Sequence, residues 1–232
     1  TLARTLIDSA LALAKTLGAP SAELCLSLAR VHRAEARRSK AADTLAEAER
    51  LTGEGPLRAL IEAERAEGRE LEGDAAGAAQ AYEKALTMSD AAQELARWHG
   101  EIDLTARLQA RLAGAYHTKK DMTQARKLYE ASLSRWQMVG WPFAEARVLM
   151  NLGTLFIHGK EPAVAARHFE SASVAANHSG DLMLQARALL QQAKALKQAN
   201  QSVSSKTAAA EVKRLAMAIG WDEGKAQAEG LI

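Results

Sequence analysis

Residues 149–169 read LMNLGTLFIHGKEPAVAARHF, and the spacing within them decides the fold. Leu149, Leu152, Gly153 and Phe156 recur at short, regular intervals, and Ala165 is followed one helical turn later by Phe169. Apolar residues three and four apart share one face of an α-helix. Within that face the bare Gly153 lets a second helix come close, and Ala165 does the same on the helix that follows. Phe169 has the bulk to fill the gap the small residues leave. Pro162 suits a first helical turn, where its missing N–H is not needed. The stretch therefore predicts an antiparallel helix pair, A and B, whose apolar faces need further neighbours to be buried.

The spacing recurs along the chain. Ala106-Arg107, Ala146-Arg147 and Ala186-Arg187 repeat every 40 residues, as do Gly100, Gly140, Gly180 and Gly220. In that register Gln109-x2-Leu112-Ala113-x2-Tyr116 leads to Ala125-x3-Tyr129. Leu189-x2-Gln192-Ala193-x2-Leu196 leads to Ser205-x3-Ala209. Earlier, Cys25-x2-Leu28-Ala29-x2-His32 leads to Ala41-x3-Leu45, and Ala66 and Arg69 lead to Ala78-x3-Tyr82. Glycine at the end of helix B supplies the left-handed conformation that stops it. The pattern predicts one array over 1–232: a partial repeat at 1–18, repeats at 21–55, 56–100, 101–140, 141–180 and 181–220, and the start of another at 221–232. The chain opens at Thr1 without a methionine, and a segment of something longer is expected. From Ala78 to Gly100 is 22 residues, against 15 from Ala125 to Gly140. Those extra residues, about two helical turns, predict a longer helix B; a separate short helix capped at Ser89-Asp90 is the alternative.

This pattern resembles the tetratricopeptide repeat, W-x2-L-G-x2-Y followed by A-x3-F and a late proline. The match is strongest from Thr105 to Gly180. No repeat carries tryptophan at the first position, the closing proline is missing, and the period exceeds the usual ~34 residues. The longer form is similar to the repeats of LGN/Pins-type polarity adaptors and MalT-like bacterial regulators. The resemblance implies an all-α, right-handed superhelical solenoid of antiparallel helix pairs, with the A helices lining a concave groove.

Composition agrees. Hydrophobic residues make up 48 % of the chain but aromatics only 4 %, so the core is largely alanine and leucine, which favours close-packed helices over sheet. A net charge of +2 gives no general attraction to nucleic acid or membranes. No apolar run approaches the ~18 residues of a membrane span, and no signal sequence is evident. With Cys25 as the single cysteine, a reducing, cytoplasmic setting is expected.

No catalytic constellation is legible, and the chain is expected not to be an enzyme. The histidines (His32, His99, His117, His158, His168 and His178) make no pair at the i, i+4 spacing of a helical metal site, so neither metal nor cofactor is expected. There is no glycine-rich phosphate loop and no G-x-S-x-G elbow. Glu62, Glu64, Glu67 and Glu70 alternate with arginines on one helix, and exposed ion pairs account for them more simply than acid–base chemistry. Cys25 occupies an apolar position and reads as a buried, inert thiol.

By the resemblance, residues flanking the packing face of helix A point into the groove. These are Arg107, Arg111 and His117; Arg147, Met150, Asn151 and Thr154; and Arg187, Gln191, Lys194 and Lys197. Every charged member is basic. A guanidinium can donate two parallel hydrogen bonds to a carboxylate, and arginines ~15–20 Å apart match about five or six residues of extended peptide. Asn151 resembles the asparagine of LGN-like repeats that holds a peptide main chain; Arg111 and Gln191 stand in its place in the neighbouring repeats. The other reading is a brace, in which Arg107, Arg147 and Arg187 pair with acids such as Glu145 on adjacent helices. Nucleic acid is disfavoured, because Trp98, Trp136, Trp141 and Trp221 fall near helix B ends rather than among the basic residues.

Arg30, Arg33, Arg37, Arg38 and Lys40 form a basic run, while Glu64, Glu67 and Glu70 give the next repeat an acidic inner face, a polarity that would orient a partner. The expected function is a protein-interaction scaffold that binds an acidic peptide or partner segment in its groove. The alternative is a regulatory, sensory or self-assembling segment of a larger signalling protein (kinase, ATPase or transcription regulator), with homo-oligomer contacts through uncapped repeat ends.

Overall fold

The computed structural model describes residues 2–18, 21–52, 56–90, 92 and 102–232. Among them are twelve α-helices and no strand. They form two compact units, Thr1–Lys120 and Asp121–Ile232. In the first, α1 (Leu2–Thr16) lies on α2 (Ala22–Ala34), which pairs with α3 (Arg38–Leu51). There α4 (Pro56–Glu72) pairs with α5 (Ala75–Thr87), and α6 (Leu104–Thr118) packs on α5. In the second, α7 (Met122–Val139) lies on α8 (Pro142–His158), and α8 pairs with α9 (Pro162–His178). Next come α10 (Leu182–Gln198), α11 (Ser202–Ile219) and α12 (Asp222–Glu229), each packed on the helix before it. Within each unit, the short turns joining α2 to α3, α4 to α5 and α8 to α9 return the second helix antiparallel to the first.

Local chemistry sets the helix ends. Ser21, Asp74, Asp103, Asp121 and Asp181 each accept a hydrogen bond from the N–H three residues on. Pro56, Pro142 and Pro162 open α4, α8 and α9. Gly140 and Gly220 cap α7 and α11 at φ 70°, and Gly180, just beyond α9, has φ 75°. Gly100 of that ladder lies outside the described residues, with Trp98 and His99. A second ladder, just past α6, α8 and α10, puts residues other than glycine in the left-handed region: Lys120, Lys160 and Asn200 have φ of 65°, 61° and 59°. Such a residue costs roughly 1–2 kcal/mol, and each still closes its N–H onto the carbonyl three residues back.

The interior follows the motif. Ala78, Ala125 and Ala165 are fully buried, and Tyr82, Tyr129 and Phe169, a turn later, are at most 3 % exposed. The Phe169 ring lies so close to Gly153 that a Cβ there would sit 2.5 Å from its Cε1. Burying such a ring contributes about 2–3 kcal/mol. Trp136 meets Trp141 edge-on at 5.1 Å, and Trp221 covers Gly224, so these tryptophans serve packing at repeat ends.

The longer helix expected after Ala78 is not there. α5 stops at Thr87, Met88 caps it, and helical backbone resumes at Ser89. Buried Ser89 donates to the Leu86 carbonyl (2.9 Å) and accepts from Thr105 Oγ1 of α6 (2.9 Å). A side chain tied back to the backbone and across to the next helix fixes this break. No helix among the described residues is long and apolar enough to cross a membrane.

Gly153→Val drives a side chain into Phe169 and should lower stability by about 2 kcal/mol in denaturant unfolding. Phe169→Leu, destabilising alone, should recover part of that loss in the double variant. Additive losses would show that the two positions do not meet.

Candidate functional site

The glutamates of α4 sort into two charge clusters in the first unit. Glu62, 2 % exposed, receives Arg65 Nη1 at 2.9 Å, Lys84 Nζ at 2.6 Å and Arg58 Nε at 3.4 Å. Glu49 on α3 pairs with Arg58 and Arg65 as well. In the other cluster Glu64, 6 % exposed, receives Arg30 Nε at 2.7 Å and Arg33 Nη1 at 2.5 Å. Arg33 also reaches Glu67 at 2.7 Å, and Glu67 takes Arg107 from α6. Glu70 accepts from the Tyr82 hydroxyl at 2.8 Å and faces Arg111 at 3.5 Å.

Two expectations change accordingly. The ion pairs of Glu62 and Glu64 are buried rather than exposed, because α4 packs against α3 and α5 and also touches α2. Arg30 and Arg33 of the basic run meet Glu64 and Glu67 of α4 and neutralise them, so the expected polarity is lost there, while Arg38 and Lys40 of the same run stay exposed on α3.

Burial alone would raise the Glu62 carboxyl, but the Lys84 hydrogen bond and the charges of Arg65, Lys84 and Arg58 hold it below its ordinary value. Glu64 goes the other way, pushed up by burial and then by Glu67 against Arg30 and Arg33. Burial, then Glu70 and Glu67, keep the Tyr82 hydroxyl protonated. Cys25 is 5 % exposed, and burial followed by the Glu47 charge raises its thiol, which disfavours a thiolate nucleophile.

The same motif arginine meets different surroundings in each repeat. Arg107 is half-buried against Glu67, the bracing role; Arg111 is exposed and His117 half-buried. In the second unit Arg147 is exposed on α8 with its guanidinium 5.8 Å from the Phe143 ring centre, and Arg187 is exposed on α10. Neither has an ion pair among the described residues. Glu145, the acid expected to brace, instead accepts from Gln137 at 3.1 Å. Asn151 and Thr154 are exposed on the α8 stripe that carries Arg147. Met150 is half-buried against the core of Ala146, Leu149, Ala172 and Ala188, so only part of it is available to a ligand. On α10, Gln191 is half-buried, Lys194 donates to Gln227 of α12 at 2.7 Å, and Lys197 is exposed. α8 and α10 touch, which sets the two stripes side by side.

One cluster was not anticipated. Phe156 and His168 stack at 5.0 Å, Arg126 lies 5.2 Å from the Phe156 ring centre, and burial pushes the imidazole down. Its only sequence signal was the position of Phe156 at the end of the helix A motif.

Residues 104–177 match the family model of the tetratricopeptide repeat. The match covers about a third of the chain. No curated protein is a significant match to the sequence. Solved structures share the fold over most of the chain. BtubC (BKLC) from P. vanneervenii is 21 % identical with a TM-score of 0.72, covering 86 % of this chain and 81 % of its own. The apo form of RapI is 14 % identical with a TM-score of 0.76, covering 89 % and 74 %. A signal-transduction ATPase with numerous domains and a tetratricopeptide repeat sensor, from Pyrococcus horikoshii, is 16 % identical with a TM-score of 0.72 over 90 % of this chain. The chain spans only 32 % of that ATPase.

Glu62 adds stability above its ordinary value of 4.5 and loses it as pH falls through its lowered folded value. Glu64, held above that value, costs stability as pH rises past 4.5. Glu62→Gln should therefore lower Tm at neutral pH and flatten the fall in Tm seen for the wild type between about pH 5 and pH 3. Identical pH profiles would show that the cluster contributes nothing.

Proposed function

We propose that the chain is a non-catalytic, cytoplasmic protein-interaction module that binds an acidic peptide or partner segment, and that the α8–α10 face of the second unit does the binding. One observation carries the reading: Arg107 is neutralised by Glu67, whereas Arg147 and Arg187 reach solvent with no ion pair among the described residues. The sequence explains the difference. One period of 40 residues before Arg107 stands Glu67; one period before Arg187 stands another arginine, Arg147. The brace is possible only where the preceding repeat supplies an acid.

An exposed guanidinium gives up little hydration when a carboxylate approaches, and the charge-assisted bond contributes about 1.5–3 kcal/mol. Asn151, with one acceptor and two N–H donors, suits the main chain of an extended segment. The tetratricopeptide repeat match at 104–177 supports the class, since such repeats generally mediate protein–protein interaction. A second reading, a sensory segment of a larger signalling protein, draws support from the P. horikoshii ATPase, whose repeat is described as a sensor.

The test is fluorescence anisotropy with a labelled extended peptide carrying glutamates about five residues apart, at two salt concentrations. Wild type should bind, more weakly at high salt. Arg147→Ala/Arg187→Ala should bind at least about tenfold more weakly at unchanged helicity. Equal binding by the two proteins would contradict the proposal.

A further inference from the structure

The first unit contains a cavity of about 320 Å3 among α2, α3 and α4. Its origin lies in one substitution of the repeat pattern. The position that carries Tyr82 on α5, Tyr129 on α7 and Phe169 on α9 carries Leu45 on α3. The shorter side chain leaves Ala41 half-covered, where its counterparts Ala78, Ala125 and Ala165 are fully buried. Across from it stands Gly68, in the middle of α4. Glycine there costs about 1 kcal/mol relative to alanine. Gly153 bears that cost because Phe169 occupies the space of a side chain, but a Cβ on Gly68 would meet nothing within 4 Å. The bare Cα of Gly68 lines the cavity instead.

The walls carry arginines, of which Arg33 binds Glu64 and Glu67, Arg65 binds Glu49 and Glu62, and Arg69 donates to the Gly77 carbonyl at 2.8 Å. Arg38 is different. It is exposed and has no ion pair among the described residues. Of the two lining carboxylates, Glu64 is held by Arg30 and Arg33, and Glu72 is exposed. The volume sits at the lower end of ligand cavities, roughly 300–1,000 Å3, and suits one ring with a short acidic arm rather than a peptide chain.

We propose that this cavity binds a small aromatic or branched aliphatic carboxylate, with its apolar end over Gly68 and its acid on Arg38. The site is separate from the α8–α10 face and does not depend on the function proposed for it. The probe is 3-phenylpropionate, with its amide as the uncharged match, followed by calorimetry and amide NMR on the full chain. Wild type should bind the acid saturably, with shifts at Gly68 and Ala41, and prefer it to the amide by about fivefold. Gly68→Leu and Ala42→Leu fill the space; each should keep its helicity and lose at least about tenfold in affinity. Arg38→Gln leaves the cavity intact and should bind acid and amide alike. No binding by wild type, undiminished binding in both filled variants, or an acid preference retained in Arg38→Gln would overturn the proposal.

Discussion

The Phe169 ring resting on the bare Cα of Gly153 sets how closely the helices of a pair can approach, and the rest of each unit follows from that closeness. Helices built from alanine and leucine have little apolar bulk, so they gain enough contact only when small residues face each other and one large residue fills what remains. Tyr82 and Tyr129 serve on α5 and α7 as Phe169 does on α9. Where the filler shrinks to Leu45, a cavity opens. The same rule thus accounts for the packed repeats and for the place where packing is incomplete.

Charge follows the repeat too, with a different outcome in each unit. A side chain on one A helix finds its neighbour about one period away, so the residue standing there decides its role. Glu67 makes Arg107 a brace, and Arg30 and Arg33 do the same service for Glu64. Arg147 and Arg187 have no acid at that step and stay available. An array that uses its charges internally at one stretch and leaves them outward at another can hold its fold and still present a basic face.

Much of the fold was legible because it is periodic: the glycines at 140, 180 and 220, the small-then-aromatic step on helix B and the prolines at helix starts are all local signals. What escaped depends on three-dimensional neighbours. Lys120 and Lys160 adopt a left-handed backbone that lysine does not announce, and the break at Met88 rests on a hydroxyl pair between Ser89 and Thr105. The alternation of glutamate and arginine on α4 foretold ion pairs, but only the packing of α2, α3 and α5 around it buries Glu62 and Glu64. For the site, the basic register was readable, while the division between Arg107 and its two counterparts required knowing which acids lie within reach.

That division is tested most directly by thermal unfolding of Arg107→Gln, Arg147→Gln and Arg187→Gln side by side. Arg107→Gln leaves Glu67 partly uncompensated and should lower Tm by several degrees, while the other two, at exposed positions, should stay within about 0.5 kcal/mol of wild type. If Arg147→Gln and Arg187→Gln destabilise as much as Arg107→Gln, all three arginines brace the fold and no basic face is held in reserve.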